Sequence, residues 1–352
     1  MFRKLLAFVP LVCFIIALTS CGGGGGGGSD PLYRAVLLYE DSFPKAELRA
    51  GWNGIGYGQS HTPPNIQTAL AYDAKANIVK GVSFHPGAPG DYTDSGVLGA
   101  DAFQQVGYAE AAGSSVGMIW TGTAASATPV TATGWNYVVL NAVDNNYQAG
   151  GIWKLDDISH PVVFHGASDD FVDLLPAGFE AGVANCIDGN QIGGQVQVHP
   201  FDFEHAALWT SHSAASFINL HSATYETTEV TGISGSQQVG RGTFTGNNHI
   251  HALMWTGTPE SVVDMNPPGV LSSEMLAVRD NVQIGDRWVT VNALNVQKAC
   301  IWTGTPDSMQ DLDHFITIPH EGSVARSIDA QGNIYGVVLD NGFKCAVVWL
   351  KS

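Results

Sequence analysis

Charge is scarce in this 352-residue chain. Only 13% of its residues are charged, and 15 Lys and Arg stand against 32 Asp and Glu, for a formal net charge of −17. A surface so poor in basic groups repels nucleic acid and anionic lipid, which excludes both as natural partners. Cysteine is as sparse: beyond Cys21 only Cys186, Cys300 and Cys345 remain. Three thiols build no disulfide framework, although a single Cys300–Cys345 bridge between neighbouring units is compatible with their positions. There is no CxxC or CxxxH spacing, no HExxH, no P-loop and no EF-hand string, and the "DGNQIGG" turn lacks the alternating acids of a calcium loop. Neither a cofactor nor a metal is expected. Helical periodicity is missing too, because 42 glycines and 16 prolines interrupt every long stretch.

The one long apolar run lies at the start. Arg3 and Lys4 precede "LLAFVPLVCFIIAL", which has the length of a secretory core and is too short, and too soon followed by glycines, for a spanning helix. The "LTSC" that ends it resembles a bacterial lipobox, which implies a lipoprotein signal peptide over 1–20 and lipidation of Cys21. Seven glycines and a serine follow, a flexible tether of about 16 Å root-mean-square reach. Residues 21–32 are thus anchor and tether, and 33–352 a single domain. Without Arg3 and Lys4 the formal charge is −17 − 2 = −19. The expected location is extracytoplasmic, with the membrane touched only through the lipid; Gly22 is no acidic retention signal, so a Gram-negative host would send it to the outer membrane.

What the chain has in abundance is one unit written seven times. An aromatic closes the short apolar runs at Tyr72, Trp120, Phe164, Trp209, Trp255, Trp302 and Trp349, at spacings of 48, 44, 45, 46, 47 and 47. A glycine ends "GIG", "QVG", "QAG", "QIG", "QVG", "QIG" and "IYG" at Gly56, Gly107, Gly150, Gly193, Gly240, Gly285 and Gly336. A small residue recurs at Ala50, Gly96, Ala142, Cys186, Gly232, Ala277 and Ser327. Val- and Ile-rich runs separated by turns such as "DNN", "SGS" and "WTGT" give four short strands per unit. Four strands in about 46 residues, seven times over, predict an all-β, seven-bladed β-propeller, whose blades bury their faces only against neighbours, so that first must meet last. "YRAVLLYE" at 33–40 allows closure either edge to edge or by a shared strand. The small slot suits the crowded axis and the aromatic slot the wider gap between blades.

The strings "EHAALW" (204–209) and "IHALMW" (250–255), followed by an Asp-Leu-type strand and a GxxVG-type strand, resemble the HAF repeats of bacterial extracellular proteins. The resemblance implies a secreted, propeller-like repeat protein and brings no catalytic residues. Ala207 and Leu253 stand where that family has phenylalanine.

Candidate chemistry is thinly spread. Four residues before each aromatic stand Thr68, Val116, His160, His205, His251, Lys298 and Cys345, and the following strand ends at Asp173, Asn219, Asp264 or Asp311. These are expected to form polar networks within blades; equivalent positions on different blades stand too far apart to share a metal. "GSSVG" (113–117) matches a nucleophile-elbow string, but Ser115 lies in a hairpin with no helix to follow. "HPFDFEH" (199–205) and "HIH" (249–251) read as polar hairpin tips, with a metal pair at His249 and His251 as the alternative. Seven residues before each small slot stand Phe43, Pro89, Trp135, Phe179, Tyr225, Val270 and His320, several followed by Asn136, Glu180, Glu226 or Glu321. Aromatics beside carboxylates suit sugar rings, so Trp135, Phe179, Tyr225, His320 and Glu321 are the candidate binding residues; blade packing is the competing role. The expected function is a monomeric, non-enzymatic binding or adhesion module for carbohydrate or an extracellular protein. The alternatives are a glycoside hydrolase or lyase using Glu180 and Glu226, and a structural envelope protein without ligand.

Overall fold

The computed structural model describes residues 33–38, 45–62, 66–75, 81–87, 91–111, 113–155, 158–199, 203–246, 248–291, 294–340 and 343–352. The signal segment, Cys21, the tether, Phe43, Pro89 and Asp202 lie outside them. Among the described residues there are β-strands and single 3-10 turns but no α-helix. No described helix is long and apolar enough to cross a membrane.

Each repeat folds as an antiparallel meander. The fifth runs Tyr225–Ser234, Gln237–Phe244, Ile250–Trp255 and Val263–Asp264, each strand pairing with the next. Five sheets have four strands. A sixth has eight, because the meanders led by Asp94–Ala100 and Tyr137–Asp144 are joined where Tyr137 bridges Ser115. The last sheet, Gly322–Ile328, Ile334–Asp340 and Phe343–Lys351, takes its outer strand from the opposite end of the domain. Tyr33–Leu38 pairs antiparallel with it, from Tyr33↔Lys351 to Leu38↔Ala346. The last sheet is thus completed by a strand from the start of the domain, the sharing of a strand that "YRAVLLYE" allowed. First and last meanders also pack together: Leu48, Leu70 and Tyr72 share a cluster with Tyr335, Ala346 and Val348, and the Tyr335 hydroxyl accepts from Gly54 N–H at 2.8 Å.

The aromatic slot is the core. Trp120, Phe164, Trp209, Trp255, Trp302 and Trp349 are fully buried, and Tyr72 nearly so. Each packs between neighbouring meanders; Trp302, for example, sits with Val239 and Met254 of the preceding repeat and Met275 of its own. Two of the indoles also reach backward across the seam, Trp209 Nε1 donating to Leu174 O at 2.8 Å and Trp349 Nε1 to Leu312 O at 3.0 Å. The "WTGTP" string after Trp255 is a locked turn. Gly257 adopts φ +88°, its N–H donates to the buried Gln238 side chain at 2.8 Å, and Ser261 Oγ accepts from Thr256 N–H at 2.8 Å. The same contacts recur at Gly304, Gln283, Ser308 and Thr303.

The small slot and the glycine slot have one cause. The first strand of every meander carries a register shift, between Leu48/Ala50, Val97/Gly99, Leu140/Ala142, Ala184/Cys186, Val230/Gly232, Met275/Ala277 and Ala325/Ser327. One residue is extra, which is a β-bulge. Opposite it the second strand is pressed close: a Cβ on Gly240 would overlap the Glu229 carbonyl oxygen, and one on Gly285 that of Glu274. Beyond it the small residue abuts the next sheet, so that a Cβ on Gly232 would come within 2.9 Å of Ala277 Cα. This register corrects three expectations. The small slot of the second repeat is Gly99 rather than Gly96, and the slot seven before it is Tyr92 rather than Pro89. The pressed glycines of the first and fourth repeats are Gly58 and Gly194, not Gly56 and Gly193. For the small slot and the glycines a second glycine lies within three positions, and only strand pairing distinguishes the two. Cys186, Cys300 and Cys345 are free thiols, so the Cys300–Cys345 bridge is not formed; burial pushes the first two well above the ordinary thiol range.

Candidate functional site: a cavity lined by the bulge residues

The extra residue of each bulge is Arg49, Leu98, Asn141, Asn185, Thr231, Leu276 or Arg326. Six of these seven, all but Thr231, line one cavity of ≈ 250 Å³. A bulge breaks the ladder and turns its residue out of the alternating pattern, so repeating it in every leading strand gathers those side chains in one place. Sequence reading missed this set. Its signal was present all the same: the residue before the small slot is polar or charged in five of the seven repeats.

Three bulge residues tie sheet to sheet. Asn141 Nδ2 donates to Ala184 O at 2.9 Å, Asn185 Nδ2 to Val230 O at 3.1 Å and to Glu229 Oε1 at 2.9 Å, and Thr231 Oγ1 to Met275 O at 2.7 Å. Each acceptor carbonyl precedes the bulge of the next sheet, so this belt satisfies backbone groups that the bulge itself leaves open. The arginines behave differently. Arg49 turns back on Glu47, Nη2 to Oε1 at 2.7 Å, and Lys344 Nζ reaches Glu47 Oε2 at 2.8 Å. Burial alone would raise Glu47, but Arg49, Lys344 and Arg326 outweigh it and hold the carboxyl at about 2. Arg326 forms no hydrogen bond or ion pair with a described residue, and its Nε is buried without a partner. Burial and the neighbouring Arg49 charge lower its affinity for its own proton. Around these groups Arg241 bridges Glu229 and Glu274 at 2.8 and 2.6 Å, and Gln297 Nε2 donates to both oxygens of the buried Asp286 at 3.3 Å. Burial, reinforced by the Glu274 charge, pushes Asp286 up to about 8.

A second belt joins successive repeats through hydroxyls. Ala69, Ala206, Ala252 and Ala299 each donate a buried N–H to a hydroxyl of the following repeat: Ser95 at 3.0 Å, Thr228 at 2.9 Å, Ser273 at 3.4 Å and Ser323 at 3.1 Å. Each hydroxyl in turn meets the polar residue just past the fourth strand, namely His85, His221, Asn266 and Asp313, at 2.6–2.8 Å. His221 stacks on His205 with centroids 3.9 Å apart, and burial together with His205 lowers its pKa to about 4.

Trp135 and Phe179 occupy a recurrent turn ahead of their leading strands, and Tyr225 closes the same turn as the first residue of its strand. Trp135, Phe179 and Tyr225 N–H groups donate three residues back, to Ala132, Pro176 and Ser222. Trp135 is half-buried, with His160 at 4.7 Å from its ring and Lys154 Nζ 4.8 Å above it. Phe179 is half-buried, edge-on to Phe217, and Tyr225 is buried against Phe244. His320 Nε2 lies 2.8 Å from Asp313 Oδ1, whose carboxylate also holds Lys298, while Glu321 is exposed. Glu180 is exposed with His199 at 3.3 Å; Glu226 is half-buried and makes no hydrogen bond with a described residue. No ring contact or hydrogen bond joins Trp135, Phe179 and Tyr225 to one another or Glu180 to Glu226 among the described residues. The expected polar pairs form within their repeats, His160–Asp173 at 2.6 Å and His251–Asp264 at 2.8 Å. Among the described residues no group of three or more His, Cys, Asp or Glu is placed to hold a metal ion.

No protein-family model matches this chain, and no curated protein matches it either. Solved structures do resemble it. The β-propeller domain of the Trilobed protease from Pyrococcus furiosus is 10% identical, with a TM-score of 0.56, over 90% of this chain and 95% of that one. An oligogalacturonate lyase in complex with manganese is also 10% identical, with a TM-score of 0.56, over 91% and 96%. An acylaminoacyl peptidase from Pyrococcus horikoshii is 9% identical, with a TM-score of 0.54, over 84% of this chain but only 49% of that one. At such identities the likeness is one of fold alone: the chain is an all-β protein of the β-propeller kind. The Pyrococcus furiosus domain is described as having an open velcro topology, whereas here Tyr33–Leu38 completes the last sheet.

Proposed function

We propose that the repeats close as seven blades around the axial cavity, and that the protein is a binding module for a small polar ligand held there. Strand Tyr33–Leu38 acts as the clasp of the ring. The observation that carries this reading is the convergence of six bulge residues, from six different leading strands, on one ≈ 250 Å³ cavity. A bulge repeated for packing alone needs no polar side chain, yet Arg49, Asn141, Asn185 and Arg326 stand there beside Leu98 and Leu276. The volume is below the roughly 300 Å³ at which sites for drug-sized molecules begin, which suits a single sugar ring or a short acid. The faces of Trp135 and Tyr225 are engaged by their own neighbours, which favours the axis over the outer turns. With "LTSC" and the glycine run, the module is a lipoprotein tethered through Cys21 outside the cytoplasm, reaching its membrane only by the anchor. An enzyme built on Glu180 and Glu226 is the alternative; a retaining pair needs its carboxyls about 5 Å apart and an inverting pair about 6.5–9.5 Å.

The test is a glycan and small-acid array probed with soluble protein lacking the segment through Cys21. Leu98→Trp, which fills the cavity from one bulge, is the partner variant. Hits lost in Leu98→Trp with the fold intact support the axial site. Hits that survive the filling place binding elsewhere and refute it.

A further inference from the structure

Among the described residues, each carboxylate whose charge reaches Arg326 is already held by another group. Glu47 is held by Arg49 and Lys344, and Glu274 by Arg241. Asp286 is hydrogen-bonded by Gln297, and burial with the Glu274 charge disfavours its ionised form. Arg326 is left as a guanidinium in the cavity wall with no acceptor of its own, beside the like charge of Arg49. The side chain is only partly exposed and its Nε is buried without a partner, and a buried polar group left unpaired is costly. Asn141 and Asn185 spend their amide N–H groups on wall carbonyls and on Glu229, leaving their side-chain oxygens as free acceptors at the same cavity. Leu98 and Leu276 complete the lining with apolar surface.

We propose that the axial cavity binds a small hydroxylated monocarboxylate, its carboxylate received by the Arg326 guanidinium and its hydroxyls by Asn141 and Asn185. The planar fork of arginine fits a carboxylate with two parallel N–H···O bonds. One unclaimed cation calls for one negative charge; a dianion would face Glu47 and Glu274 with nothing to balance its second charge. Ligand hydroxyls are the donors that two amide oxygens require. This inference rests on the axial reading above and adds the charge and class of the ligand.

The experiment is titration calorimetry with D-galacturonate, D-glycerate, D-galactose and inorganic phosphate, on the wild type, Arg326→Met and Leu98→Trp. Galacturonate or glycerate should bind wild type at least about tenfold more tightly than galactose or phosphate, the margin of a charge-assisted pair. Arg326→Met should lose that preference while melting no lower than wild type, because it removes a half-buried cation that no described residue pairs. A purely structural arginine would instead lower the melting temperature when removed, and that result overturns the proposal. Equal binding of galacturonate and galactose, preference for phosphate, or acid binding unchanged in Arg326→Met also overturns it. If neither acid binds, the proposal fails; array ligands still displaced by Leu98→Trp would then leave the axial site standing without its anion preference, whereas ligands indifferent to Leu98→Trp would remove both.

Discussion

Thr228 offers a clean measure of what holds one sheet to the next. Its hydroxyl accepts from Ala206 N–H of the preceding repeat at 2.9 Å and lies 2.8 Å from His221 Nδ1, and both Thr228 and Ala206 are buried. Thr228→Val keeps the shape and removes the hydroxyl. Ala206 N–H then has no acceptor and no water, which costs about 1–3 kcal/mol. His221 is half-buried and recovers part of its lost bond from solvent, while the added methyl contributes a fraction of a kcal/mol of burial. The net expectation is a loss of about 2 kcal/mol, read from the shift of the urea midpoint at unchanged slope. Thr227→Val is the matched control, since among the described residues the Thr227 hydroxyl bonds only the half-exposed Thr243 hydroxyl at 3.0 Å, and should cost less than about 0.5 kcal/mol. Native-state amide exchange should show faster opening at Ala206 in Thr228→Val. Equal midpoints for the two variants would refute the belt as a source of stability.

Other expectations follow from the same contacts. Asp286 has its folded pKa raised to about 8 from an ordinary 3.8, so the folded state binds the extra proton and stability falls as pH rises from about 4 to about 8. Asp286→Asn should flatten that decline, seen as a smaller difference in melting temperature between pH 5 and pH 8; an unchanged difference would assign the decline to other groups. Removing residues 33–38 strips the strand that pairs with Phe343–Lys351 and exposes a sheet edge. It should lower the melting temperature and shift gel-filtration toward aggregates, and a monomer of wild-type stability would show that the clasp is dispensable. Trp302→Ala empties a fully buried slot between sheets and should cost about 3–5 kcal/mol by urea unfolding, against a negligible change for Phe203→Ala on the exposed surface.

The spacing of Tyr72, Trp120, Phe164, Trp209, Trp255, Trp302 and Trp349 was enough to read the repeat, because each must fill the same gap between sheets and nothing smaller will. The turn chemistry of "WTGTP" was equally legible, since Gly257 and Gly304 meet a local demand for positive φ. The bulge was not legible in detail. Gly96 and Gly99, or Gly56 and Gly58, satisfy a sequence pattern equally well, and only pairing with the second strand shows which one faces the pressed carbonyl. The belt of Ser95, Thr228, Ser273 and Ser323 was hidden for a related reason. Its members stand four residues before the true small slot, and misplacing that slot at Gly96 broke their alignment.

By itself, then, the sequence determined the β character, the unit and its turns, because those depend on contacts within about 50 residues of each other. Tertiary structure decided which residues meet across the molecule. Tyr33 pairs with Lys351, and Arg49 comes to share a cavity wall with Arg326, only because successive sheets bring the first and last together. The lone cation at Arg326 is likewise invisible along the chain. It emerges when Glu47, Glu274 and Asp286, scattered through the sequence, are each found to be satisfied by something else.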